Sequence, residues 1–356
     1  MPTFCRHNRF IERCPICSAT LPQALQGARR PPRAKSAGRA GRAGTDAAAG
    51  ARAGGAGGAG EAARERRPRG AEHVRVRREE RATQDGYSSP LLQGVRSSAD
   101  ALRLTEEIAF ANGRLLALAA DPPGLYGELR ALAEHDLERA TWGCFLTAYL
   151  SPLQYGDGED PFAAIRVVFA AGAEHGGLPE AGELASLQEL ALGPRTSHER
   201  SRGQETLIAY LHWAERGGHA AAFRGDPAWT PERRFQRLFE RLALPGLQRA
   251  ARYELLLLLG RLALYELRAD SLALASARAN DSEDLTTQGA KRVFAIGDAL
   301  LLERRAADLA RAAQVPAEAL ELALANWAAG ERATLGFPAD ALDEATFERV
   351  GAALGL

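Results

Sequence analysis

At 356 residues, 46% apolar and 25% charged, the chain is long enough for one full globular domain with appendages and too short for several large ones. Its 45 basic and 45 acidic side chains cancel, but residues 1–82 hold 18 basic and 7 acidic ones and the rest 27 and 38, so a +11 arm precedes a −11 body. The N-terminus lacks an apolar core of signal-peptide length, and the leucine run at 255–259 is cut by Gly260 and Arg261, which argues against a secreted or membrane-spanning protein; a cytoplasmic location is expected.

Residues 1–26 form a Cys/His-rich head. Cys5-x-His7 and Cys14-Pro15-x-Cys17 place four soft or borderline donors within thirteen positions. Two thiolates on a tight turn plus a second pair suit tetrahedral Zn(II), in a closed and therefore structural site that folds only with its metal. In a reducing compartment this crowding speaks for metal rather than disulfides. Residues 27–84 read as a basic linker: Gly and Ala fill 26 of the positions 27–72, beside ten arginines and no large apolar residue, so nothing there offsets the entropy of ordering. Such an arm fits a polyanionic partner such as DNA, or plain solvation. Arg outnumbers Lys throughout, Lys35 and Lys291 being the only lysines, so base composition explains part of the arginine content.

From residue 85 onward the hydrophobic period is helical. Helices are predicted at 97–120 (with Leu102, Ile108, Leu115 and Leu118 as the apolar stripe), 125–134, 137–150, 161–173, 204–216, 231–242, 247–261, 289–311, 316–328 and 344–354. Residues 280–284 read as a turn ending in a helix N-cap. No stretch alternates with period two, so residues 85–356 are expected to be one all-α body.

Residues 243–252, with Leu244-Pro245-Gly246 before an amphipathic helix, and Asp270 some two dozen residues later, resemble the helix-hairpin-helix DNA glycosylase superfamily. Residues 142–154, an apolar helix ending in Leu150-Ser151-Pro152-Leu153-Gln154, are similar to the same superfamily. The resemblance implies that Gly246, Leu247 and Arg249 offer the hairpin to a DNA phosphate, that Gln154 lies near the target base, and that Asp270 is the working carboxylate. Physically, unsatisfied amides at a helix N-terminus bind phosphate. Gln248 and Ala250 depart from the pattern, and without a lysine at the latter position Schiff-base strand cleavage is not expected.

A second resemblance covers most of the body. Residues 85–92 (DGYSSPLL), 94–101 (GVRSSADA), 110–115 (FANGRL) and 289–298 (GAKRVFAIGD) are similar to the α-glutamyl/putrescinyl thymine pyrophosphorylase families, most like the third clade. This implies action on a phosphorylated 5-hydroxymethylpyrimidine in DNA, with pyrophosphate leaving and an amino acid or polyamine replacing it. A base must be flipped out for such chemistry. Trp142 and Tyr155 beside Gln154 are candidates to stack it, although aromatics on an apolar helix equally suit a core. Lys291, Arg292 and Arg304 are candidates to steady the departing pyrophosphate, with a solvated basic face as the ordinary alternative. Asp270 is the first candidate base and Asp298 the second, the latter fitting equally a helix start or an ion pair with Arg304. A monofunctional base glycosylase and a catalytically silent nucleic-acid binder remain open alternatives.

Overall fold

The computed structural model describes residues 84–156, 160–171, 191–199, 203–274 and 284–356. The chain divides into units Met1–Arg75 and Val76–Leu356. The first unit lies outside the described residues, and with it the predicted head and most of the linker. The described residues form twelve helices and no strand, so the all-α expectation holds. They are α1 (Ser98–Ala120), α2 (Leu125–Ala133), α3 (Leu137–Leu150), α4 (Ala163–Ala171), α5 (Gly203–Glu215), α6 (Gly218–Arg224), α7 (Pro231–Arg241), α8 (Arg249–Arg261), α9 (Leu285–Phe294), α10 (Ala299–Ala313), α11 (Ala317–Ala329) and α12 (Glu344–Leu354).

Side-chain oxygens start many of these helices. Asp136, Thr230, Asp284, Asp298 and Asp343 each accept an amide three residues on, satisfying donors that a helix start leaves open. At α1 the serines of the Ser-Ser-Ala-Asp start do not do this. Ser97 makes no cap bond, and Asp85 reaches over from the preceding loop to accept from Ser98 N at 3.0 Å. Those hydrogen bonds hold the Asp85 carboxyl below its ordinary range.

Three helices are buried almost from end to end: α3 over residues 140–150, α8 over 251–259 and α11 over 318–328. α1 packs against α11, α12 and α8, while α3 packs against α2, α4, α6 and α8. The buried face of α1 includes Ile108, Leu115 and Leu118 as expected, but Leu102 is exposed and Leu104 replaces it. Burial of such Leu and Phe side chains, each contributing about 1.5–3 kcal/mol, drives assembly.

Two departures from the predicted elements have local causes. The helix predicted over 289–311 is two helices: Ala295 adopts a left-handed conformation (φ 56°) at the end of α9, and Asp298 then caps α10 by accepting from Leu301 N at 3.0 Å. The short α6 is unpredicted because its cap comes from elsewhere. Glu138 of α3 accepts from His219 N at 2.7 Å and Ala220 N at 2.8 Å.

Two of the family-like phrases, distant in sequence, meet in space. Gly94 N donates to Val293 O at 2.8 Å, and a Cβ at Gly94 would lie 1.8 Å from Arg292 O. α9 also approaches α11 so closely that a Cβ on Gly289 would sit 2.2 Å from Leu324 O. Gly289→Ala is therefore expected to force the helices apart and lower stability by about 1–3 kcal/mol, read as a fall in the urea midpoint. An unchanged midpoint would show that the pair separates freely.

His219 is fully buried, with Nδ1 3.0 Å from Glu138 Oε2. Burial pushes its pKa down and Glu138 opposes this only in part, so the folded protein keeps the ring neutral. Below pH about 6.5 the unfolded chain takes up a proton that the folded one resists. The urea midpoint should thus begin to fall as pH drops below that value, and His219→Gln should remove this part of the slope. An identical slope in the variant would reject the assignment.

Candidate functional site

The Leu244-Pro245-Gly246 turn closes with Leu247 N donating to Leu244 O at 3.2 Å. Gly246 has φ +74°, and a Cβ there would fall 2.0 Å from Thr206 Oγ1 of α5, so the position needs glycine for conformation and for space. Leu247 anchors the turn in the core. Ser197 clamps it from the other side, accepting from Gln248 N at 2.9 Å and donating to Gly246 O at 3.0 Å. α8 begins at Arg249, and its N-cap Gln248 makes no side-chain cap bond, so the first-turn amides remain available to a ligand.

This hairpin borders a cleft of about 950 Å³. The turn carrying Pro194, Arg195, Thr196 and Glu199 forms a second wall, and the start of α9 with Asp284, Leu285 and Thr286 a third. A cleft of this size is in the range that takes a small-molecule ligand or an extruded base.

An ionic cluster supports the cleft from beneath. Arg249 donates from Nε to Asp284 Oδ2 at 2.9 Å, from Nη2 to Glu321 Oε1 at 2.7 Å and from Nη1 to Leu272 O at 2.9 Å. Arg195 Nη2 contacts both Glu321 oxygens, at 2.8 and 3.0 Å, and Thr286 Oγ1 donates to Glu321 Oε1 at 3.0 Å. Burial pushes the Glu321 carboxyl up, but Arg195 and Arg249 outweigh it and hold it below its ordinary value. The same balance of burial against Arg249 keeps Asp284 low. Burial opposes the charge on Arg249, while Glu321 and Asp284 raise its pKa and keep it protonated.

Of the residues singled out from the sequence, Gly246, Leu247 and Arg249 line the cleft. Arg249 is there in a different capacity from a phosphate contact: its guanidinium is buried and bonded to two carboxylates and a carbonyl. Asp270 does not line the cleft. It is exposed in the loop after α8, a loop tied to α8 by Tyr253 Oη donating to Ser271 O at 2.9 Å and by the Arg249–Leu272 bond. Glu303 of α10 accepts from Leu272 N and Leu274 N in the same loop.

The remaining candidates lie elsewhere. Asp298 caps α10; Lys291 and Arg304 are exposed on α9 and α10; Arg292 stacks 4.9 Å from the Trp327 ring centroid and donates to Ala328 O at 3.3 Å. Trp142 is buried and stacked on Phe145 with centroids 5.4 Å apart, the core alternative for that aromatic. Gln154 fastens a loop: Oε1 accepts from Thr334 N at 3.0 Å, and Nε2 donates to Arg332 O at 2.7 Å. Tyr155 beside it is 47% exposed. Cys5, His7, Cys14 and Cys17 lie outside the described residues, among which no cluster of three or more His, Cys, Asp or Glu is placed to hold a metal. Cys144 is a buried thiol whose pKa burial raises. No helix among the described residues is long and apolar enough to cross a membrane.

Sequence reasoning missed Arg195, Ser197 and Glu321. For Glu321 a signal existed: Glu318 and Glu321 interrupt the otherwise apolar stretch of α11, and a carboxylate inside an apolar helix needs a buried partner. Glu318 finds one in Arg261 and also accepts from Ala269 N at 3.0 Å.

No curated protein and no solved structure matches the chain. Residues 194–333 match the model of one family, described as alpha-glutamyl/putrescinyl thymine pyrophosphorylase clade 3. That segment runs from the Arg195 turn through the hairpin, α8, α9 and α10 to the end of α11 and just beyond, and so contains the whole wall of the cleft. Through it, the chain belongs to the alpha-glutamyl/putrescinyl thymine pyrophosphorylase clade 3 family.

Proposed function

We propose that the helical body modifies a pyrimidine base in DNA, replacing pyrophosphate on the exocyclic 5-methylene carbon with an amine. The carrying observation is the conjunction of the uncapped α8 hairpin with a 950 Å³ cleft inside the family-matched segment. The hairpin amides would seat a backbone phosphate and the cleft would take the extruded base. In the reaction the C–O bond breaks with its electron pair leaving on pyrophosphate, the amine lone pair forms the C–N bond, and the surplus proton passes to a carboxylate. Asp270, on the loop tied to α8, is our assignment for that base, with Asp298 second. Lys291, Arg292 and Arg304 supply positive charge on the α9–α10 side, and Gln154 and Tyr155 lie on the loop side.

The test is nucleoside mass spectrometry on DNA carrying pyrophosphorylated 5-hydroxymethyluracil, with an amine donor and either the wild-type chain or Asp270→Asn. An amine-substituted nucleoside that the variant fails to make supports the reading. Free base with an abasic site would mean a glycosylase, and unchanged DNA that still binds would mean a reader.

We assign Zn(II) to the head through Cys5, His7, Cys14 and Cys17, a donor set that fits a closed tetrahedral site. The purified chain should carry one equivalent, and Cys14→Ser with Cys17→Ser should lose it, as read by elemental analysis. Retention of zinc by the double variant would sink the assignment.

A further inference from the structure

We infer that the cleft selects an amine donor bearing a carboxylate, an α-amino acid rather than a diamine, with Arg195 and the open first turn of α8 as the oxyanion subsite; this rests on the base-modification reading above. Arg195 lines the cleft, its side chain is only 9% exposed, and its bonds to Glu321 all run through Nη2. Nη1 has no hydrogen-bond partner among the described residues. A buried guanidinium nitrogen left open is costly, and an arriving oxygen anion removes that cost. The first turn of α8, uncapped and with Arg249 and Ala250 on the same cleft, adds orphan amides and the positive end of a helix.

Charge balance decides which anion fits. Arg195 and Arg249 are matched by Glu321 and Asp284, both of which keep depressed pKa values and hence their charge. A planar monoanion suits one open guanidinium nitrogen beside a helix end, whereas pyrophosphate would bring several negative charges against these two carboxylates. Glu199 and Glu205, exposed on the cleft, suit the ammonium end of the same ligand. A diamine would meet those carboxylates and leave Arg195 open.

Isothermal titration of the full chain with L-glutamate, the α-carboxamide of L-glutamate, putrescine and inorganic pyrophosphate tests this without DNA. L-glutamate should bind at least about tenfold more tightly than putrescine or the α-carboxamide. Arg195→Gln should weaken L-glutamate about tenfold or more, and Arg195→Lys less. The ligand comparison on the wild-type chain stands even if a variant folds poorly. Equal binding of putrescine or the carboxamide, an Arg195→Gln loss confined to pyrophosphate, or no binding by any probe would overturn the inference. A substituted nucleoside made with putrescine and not glutamate would overturn it while leaving the base-modification reading intact. Glutamate binding through Arg195, with no nucleoside formed from any donor, would do the reverse.

Discussion

Glu321→Gln is expected to lower the unfolding free energy by about 3–5 kcal/mol, because it leaves two buried guanidinium groups facing a neutral amide. Arg249 and Arg195 both depend on that carboxylate, at 2.7 and 2.8 Å. A loss of this size is a large part of the total stability of an ordinary domain, about 5–15 kcal/mol. The urea midpoint should therefore fall steeply. The exposed Arg268–Glu232 pair serves as the control: Glu232→Gln should cost no more than about 1 kcal/mol. Equal losses in the two variants would show that the buried cluster gives no special support. The depressed pKa of Glu321 sets the pH window. Its contribution is present above the ordinary carboxylate value and is lost as pH falls through the lower folded value, so wild type and variant should converge in acid.

The second large effect is expected at Gly246. An alanine there is destabilised by its left-handed backbone by about 1–2 kcal/mol, and its Cβ collides with Thr206 Oγ1 at 2.0 Å, which adds about 1–3 kcal/mol of overpacking. Gly246→Ala should lower stability by both amounts and tilt the hairpin, weakening duplex binding in a fluorescence anisotropy titration. Adding Thr206→Ala should restore the overpacking part and leave the conformational part. If the double variant recovers nothing, the close approach to α5 is not what fixes the turn. If Gly246→Ala binds duplex as wild type does, the hairpin is not the DNA contact.

Helices were legible wherever local chemistry set both ends. α3 runs between Asp136 and Ser151 as its spacing predicts, and α12 starts at its own Asp343 cap. Where a boundary depends on a distant residue, local pattern fails. α6 exists because Glu138 reaches it from α3, and α9 stops at a left-handed Ala295, a conformation that alanine does not advertise. The hairpin was readable as a Pro-Gly turn before an amphipathic run. The buried state of Arg249 was not, since its partners Asp284 and Glu321 lie 35 and 72 positions away. Arg195 was invisible for the same reason: nothing near it in sequence marks it as facing a cleft.

The backbone approach of Gly289 to Leu324 lies close to the ionic cluster on both helices, since Glu321 precedes Leu324 by three residues and Asp284 precedes Gly289 by five. Each residue added to an α-helix rotates the remainder of that helix by about 100° and advances it about 1.5 Å. A single insertion or deletion within either short interval would seat the glycine correctly and swing a carboxylate off Arg249, or the reverse. Length changes in these intervals should therefore be selected against even where substitutions are tolerated. Loops such as the one bearing Asp270 have more freedom to drift in length.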